Sequence, residues 1–121
     1  YKETSIQSAS REKILLMLYE GAIKFVKLAI QAMDKKQIKE KCENIGRAHD
    51  IVLELNNSLD HKIGGQLSAQ LEQLYQYMSE QLMKANMENN IESLKTVLKL
   101  LETLHQGWVQ AIQKLKSETK E

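Results

Sequence analysis

Glu102-Thr-Leu-His105 is the one place in the chain where a carboxylate and an imidazole stand three residues apart, on one face of a helix. Di-iron bundles use that spacing, but they need a second Glu-x-x-His pair and two further inward glutamates. The chain has no second pair. Cys42 and His49 would share a helical face, yet two ligands leave a zinc ion half coordinated. Asp50 and Glu54 fall one turn apart and read as a solvated face. The Lys35–Lys41 stretch is interrupted by Gln37 and Glu40, so it reads as an exposed helix start. There is no phosphate-cradling glycine loop, nucleophile elbow or His-Glu-x-x-His pattern. The expectation is a protein that is not an enzyme, with no catalytic residues, metal or cofactor, whose chemistry is binding.

Composition narrows the class of partner. A chain of 121 residues supports one core. Its 42% hydrophobic and 27% charged content is that of a globular domain. The 17 basic and 16 acidic side chains leave a net charge of +1, without the clustered excess that phosphate backbones require, so no nucleic acid is expected. A lone cysteine, Cys42, excludes an internal disulfide and suits a reducing compartment. No apolar run approaches the roughly 20 residues of a membrane span, and no secretory leader pattern is visible. A cytoplasmic protein without membrane insertion is therefore expected.

Proline is absent and there are only five glycines, too little punctuation for a sheet. The pattern predicts an all-α, antiparallel, up-down four-helix bundle at 11–117, preceded by a flexible N-terminal arm at 1–10 and followed by a polar tail at 118–121. Ser10 is the expected N-cap of a helix over Arg11–Met33, with a core seam of Leu15, Leu18, Ala22, Phe25/Val26, Ala29 and Met33. A second helix, Ile38–His61, aligns Ile38, Cys42, Ile45, His49, Val52, Leu55 and Leu59. Gly64-Gly65 is the clearest break, after which a third helix carries Leu67, Leu71, Leu74, Met78, Leu82 and Ala85. Asn90 caps a fourth helix with Ile91, Leu94, Leu98, Leu101, Trp108, Ile112 and Leu115. Gly21, Gly46 and Gly107 lie inside helical patterns, where close helix approach or simple tolerance is the ordinary explanation.

Four stripes do not use all the apolar residues. Leu16, Met17, Ile23, Leu28 and Ile30 fall off the first stripe, Ile51 and Leu53 off the second, Tyr77 and Met83 off the third, and Leu100 off the fourth. A contiguous apolar surplus on a soluble chain marks an interaction surface, and methionine suits one that adapts. The expected mode is a partner helix laid in a groove between two helices. A bundle that self-associates through the same surplus, as a structural homodimer, is the alternative.

Particular residues then carry more than periodicity does. The arm Tyr1-Lys-Glu-Thr-Ser-Ile-Gln-Ser-Ala-Ser10 and the run Leu16-Met-Leu-Tyr-Glu-Gly-Ala-Ile23 closely resemble the FliS family of flagellin export chaperones. Leu55 to Leu59 followed by Gly64-Gly65, Leu74-Tyr-Gln-Tyr-Met78 with Leu82 and Ala85-Asn86, and the late Trp108 extend the resemblance in order along essentially the whole chain. Two positions depart from it: Arg11 stands where the family usually has a proline, which should soften the helix start, and Gly107 precedes Trp108 where a better helix former is usual.

The resemblance implies a chaperone that binds the disordered C-terminal segment of flagellin, blocks premature assembly and helps deliver it to the export gate component FlhA. On this resemblance Tyr19, Tyr75 and Met78 of the motifs join Leu16, Met17, Ile23, Ile51, Tyr77, Met83 and Leu100 as the expected flagellin-binding set. Tyr1 and Ile6 match the family's arm, which lies over the binding surface when flagellin is absent. The free protein is expected to be a monomer or weak homodimer.

Overall fold

The computed structural model describes residues 10–119, all but the turns of which are helical. The helices are α1 (Arg11–Asp34), α2 (Ile38–Asn57), α3 (His61–Glu88) and α4 (Ile91–Thr119). Tyr1 and Ile6 lie outside the described residues. Side chains mark most helix starts. Ser10 Oγ accepts from the Lys13 N–H at 3.2 Å, Asp60 Oδ1 from Lys62 and Ile63 at 3.0 and 3.1 Å, and Asn90 Oδ1 from Ser93 at 3.2 Å. Ser10 and Asn90 are the caps expected from sequence. Asp60 is not, and its capping explains why α2 ends at Asn57 and not at His61: the chain has already begun α3. α1 starts at Arg11 without proline, and α4 passes through Gly107 unbroken to Thr119, two residues into the segment read as tail.

Each helix packs on its sequence neighbours, and α4 closes the ring against α1; the diagonal pairs do not approach at the backbone. Short turns make neighbours antiparallel, giving an up-down-up-down square. Lys36 and Asn89 turn the chain at φ 57° and 52°, a left-handed conformation that asparagine tolerates better than most residues. The core runs through Tyr19, Ala22, Val26 and Ala29 of α1, Ala48, Val52 and Leu55 of α2, Tyr75, Met78 and Leu82 of α3, and Leu94, Val97 and Leu101 of α4.

The seams are thus displaced from those read by apolarity. Ile38, Cys42, Leu67 and Leu115 are exposed, all within the first two or last two turns of their helices, where the bundle covers them less than its middle. Small residues such as Ala22, Ala29 and Ala48 take the middle of the bundle, where helices approach closely. At Gly21 a Cβ would stand 3.2 Å from Ile51 Cδ1, so α1 and α2 are nearly in contact there.

The two glycines of the expected break lie inside α3 and serve different ends. Gly65 holds φ 51°, ψ −121°, a non-helical conformation that kinks the helix and is essentially closed to residues with a Cβ. At Gly64 a Cβ would collide with the Ser68 side chain, whose hydroxyl donates to the Asp60 carbonyl at 3.0 Å. The first turn of α3 is thereby folded back on its own capping residue. Replacing Gly65 by Ala should cost about 1–3 kcal/mol, the usual range for a forced backbone conformation. Thermal and urea denaturation measure it, and a Gly21→Ala variant needs only Ile51 to shift.

Candidate protein-docking site

The residues expected to touch a partner differ widely in exposure. Met17, Tyr77 and Met83 are exposed; Leu16, Ile23, Ile51 and Leu100 are half-buried, the last three packed on the core. Tyr77 and Met83 are six residues apart, about 120° around α3 at 3.6 residues per turn, and so face different neighbours. Tyr19, Tyr75 and Met78 are interior, at 0, 2 and 0% exposure, and offer no surface in this conformation. Their motif positions are read by packing inside the bundle.

What the two tyrosines build is a polar contact across the diagonal. Their hydroxyls are 2.5 Å apart, and either can donate. Burial raises both hydroxyl pKa values above the ordinary 10.0, Tyr75 further because a charge on Tyr19 would oppose its own. The indole Nε1 of Trp108 lies beside Tyr19, where it favours the ionised hydroxyl. It is buried without a hydrogen bond of good geometry.

Above this pair the bundle opens. One cavity of about 310 Å³ is bounded by Leu15 of α1, Leu55 of α2, Leu59 of the turn that follows, Leu67, Leu71 and Tyr75 of α3, and Trp108, with Arg11, Asp60 and Ser68 as polar members of its wall. A second, of about 350 Å³, runs on between α1 and α4 past Leu15, Trp108, Ala111, Ile112 and Leu115, and ends at Ser10, where the arm joins. Leu15 and Trp108 border both, so the two adjoin as a largely apolar trough with charged residues, Arg11, Glu12, Asp60 and Lys116, among its lining. Its rim is exposed hydrophobe, Ile63 at 85% and Leu115 at 63%.

The trough exists because the helices differ in length. At 1.5 Å per residue the 29 residues of α4 reach about 43 Å, against about 30 Å for the 20 of α2. The α4 stripe therefore runs past the point where α2 stops, while the kink at Gly65 turns α3 aside. Trp108, Ile112 and Leu115 keep the spacing of a core seam, but only Trp108 reaches the core, and Ile112 and Leu115 border the cavity beside the first turns of α1. Sequence reasoning assigned all three to the core, which holds for Trp108 and not for Ile112 and Leu115. The signal that could have found them is that unequal helix length, hidden because the missed Asp60 cap made the second helix seem longer.

A smaller cavity of about 260 Å³ lies between α2 and α3, lined by Leu53, Asn56, Tyr75, Gln76, Ser79 and Glu80, with Asn56 Oδ1 buried and unpaired. The Glu102–His105 pair does not converge on a metal site. His105 Nε2 is 3.1 Å from Glu20 Oε2 of α1 while Glu102 faces Lys27 at 3.8 Å. Among the described residues no three potential ligands gather, and no helix is long and apolar enough to cross a membrane.

Removing one hydroxyl of the diagonal pair leaves the other buried alone, so Tyr19→Phe and Tyr75→Phe should each cost about 1–3 kcal/mol. The double variant should cost clearly less than the sum, which urea denaturation of the four proteins measures. Because both hydroxyls are harder to ionise folded than unfolded, their stabilisation is complete below pH 10 and lost as pH rises beyond it. Absorbance at alkaline pH should show two tyrosines ionising only as the helix signal is lost.

Three relatives place the chain. It is 36% identical over 113 residues to the flagellar secretion chaperone FliS of Bacillus subtilis, covering 93% of this chain and 84% of that one. It is 34% identical over 114 residues to the FliS of Vibrio cholerae, covering 91% and 84%. The flagellar secretion chaperone FliSB of Pseudomonas aeruginosa is 34% identical over 106 residues, covering 88% and 84%. The family profile described as flagellar protein FliS matches residues 1–115. With the bundle and its apolar trough on one side and these matches on the other, the chain belongs to the FliS family of flagellar secretion chaperones.

Proposed function

We propose that this protein binds the disordered C-terminal segment of flagellin in the cytoplasm, keeps it from polymerising early and helps deliver it to the FlhA component of the export gate. The observation that carries the reading is the open apolar trough at the α1/α4 end. A disordered client loses chain entropy when it folds on a surface, so it holds only where it buries much apolar area. The rim and walls, Ile63, Leu67, Leu15, Trp108, Ile112 and Leu115, supply a stripe suited to the apolar face of a helix. Met17, Tyr77 and Met83 provide further contacts as the client continues around the bundle.

The arm has a place in this scheme. It joins α1 at Ser10, a lining residue of the trough. Tyr1 and Ile6, which lie outside the described residues, would on this reading compete with the client for the same surface. Such a competition needs no nucleotide, since binding and release follow relative affinity. It also limits self-association of the free protein, which is a monomer or weak dimer.

A peptide of the flagellin C-terminus should gain helicity on mixing at a one-to-one ratio, read by circular dichroism and calorimetry. No binding heat, or a tight dimer that ignores the peptide, would sink the proposal. Leu115→Asp and Ile63→Asp should each weaken binding about 10-fold or more, since a buried aliphatic side chain is worth roughly 1.5–3 kcal/mol. The melting temperature should barely move, because both are exposed in the free protein.

A further inference from the structure

At the far end of the bundle from the trough, where α1 turns into α2 beside the end of α3, lies a cavity of about 360 Å³. Lys41 forms part of its wall and is only 5% exposed. Its ammonium donates to the Asn86 carbonyl at 3.1 Å and to Asn89 Oδ1 at 2.7 Å. Both acceptors are neutral, Asn86 in the last turn of α3 and Asn89 its C-cap, so Lys41 caps that helix from outside. An ammonium has three donors, however, and no carboxylate stands within 4.0 Å of it among the described residues. A charge this deep normally has a counter-ion.

Two further features face the same space. Lys36, also without a carboxylate partner among the described residues, lines the cavity with Lys41, and no acidic residue does. Gln37 occupies the N-cap of α2 but makes no capping bond. Gln37 and Ile38 line the cavity, so the unsatisfied N–H groups of that first turn border it as well. Two ammonium groups and a helix N-terminus attract an anion. The rest of the wall is apolar, Ala32, Met33 and the exposed Ile38, which favours an anionic group carried on an apolar segment over a bare phosphate.

We propose that this cavity binds a carboxylate side chain on an acidic, apolar-flanked segment of another protein. The carboxylate completes the hydrogen bonding of Lys41 and pairs with Lys36, while the neighbouring apolar side chains pack on Met33 and Ile38. The site is separate from the trough, and a partner held here would leave the trough free.

The probe is N-acetyl-leucine, which carries one carboxylate beside one branched apolar side chain. Its neutral counterpart is N-acetyl-leucinamide. Methyl NMR of the full chain should show saturable shifts at Met33 and Ile38 with the acid. Binding of the amide should be about 10-fold or more weaker, because hydrogen bonds to a charged group are worth roughly 1.5–3 kcal/mol. Lys36→Gln, at an exposed position, should weaken binding without loss of helix signal, and Lys41→Met should abolish it. If Lys41→Met does not fold, Lys36→Gln alone decides. Equal shifts from acid and amide would overturn the proposal, as would no change in Lys36→Gln. So would inorganic phosphate binding as well as the acid, which would mean a bare anion site.

Discussion

The hydroxyls of Tyr19 and Tyr75 meet at 2.5 Å in the interior of the square, on helices that do not otherwise approach each other at the backbone. Four-helix squares held only by neighbouring stripes can slide, since leucine packs acceptably at several registers. A buried polar pair has one good arrangement, because sliding by a turn would strand two hydroxyls in apolar surroundings. The pair therefore fixes the register of α1 against α3 and, through them, the level at which each helix end falls.

The helix ends matter because the functional surface is there. With the centre pinned, the shortness of α2 and the overrun of α4 fall at the same end, and the surplus length of α4 cannot be absorbed by a shift. The kink at Gly65 adds to the opening by turning the start of α3 back upon Asp60. Tyr75 and Trp108 form part of the trough wall, so the polar pair that fixes register also underlies the surface on which a client would lie. A rigid base and an unfilled rim are compatible with holding a segment that folds only on contact.

The two ends of the bundle differ in chemistry. At one, hydrophobes of α1, α3 and α4 are left uncovered. At the other, a buried ammonium replaces a conventional helix cap and has no anionic partner among the described residues.

How much of this was legible in the chain can be judged from particular residues. The absence of proline, the 3-and-4 spacing of apolar residues and the Ser10 and Asn90 caps are local properties, and local properties determine that there are four helices and roughly where they begin. The ordered motifs determine the family, because they are matches of sequence to sequence. Which apolar residues face inward is not local. Tyr19 and Leu18 are adjacent and both suit a core stripe; only the diagonal partner makes Tyr19 interior and leaves Leu18 half-buried. Ile112 and Leu115 continue the spacing of the core seam past Trp108 and would extend it if a helix lay opposite. Lys41 reads as solvent-facing until α3 ends beside it. Sequence alone determined that there are four helices, the caps at Ser10 and Asn90, and the kinship; tertiary structure decided which faces are covered, because burial depends on the length and register of helices distant in the chain.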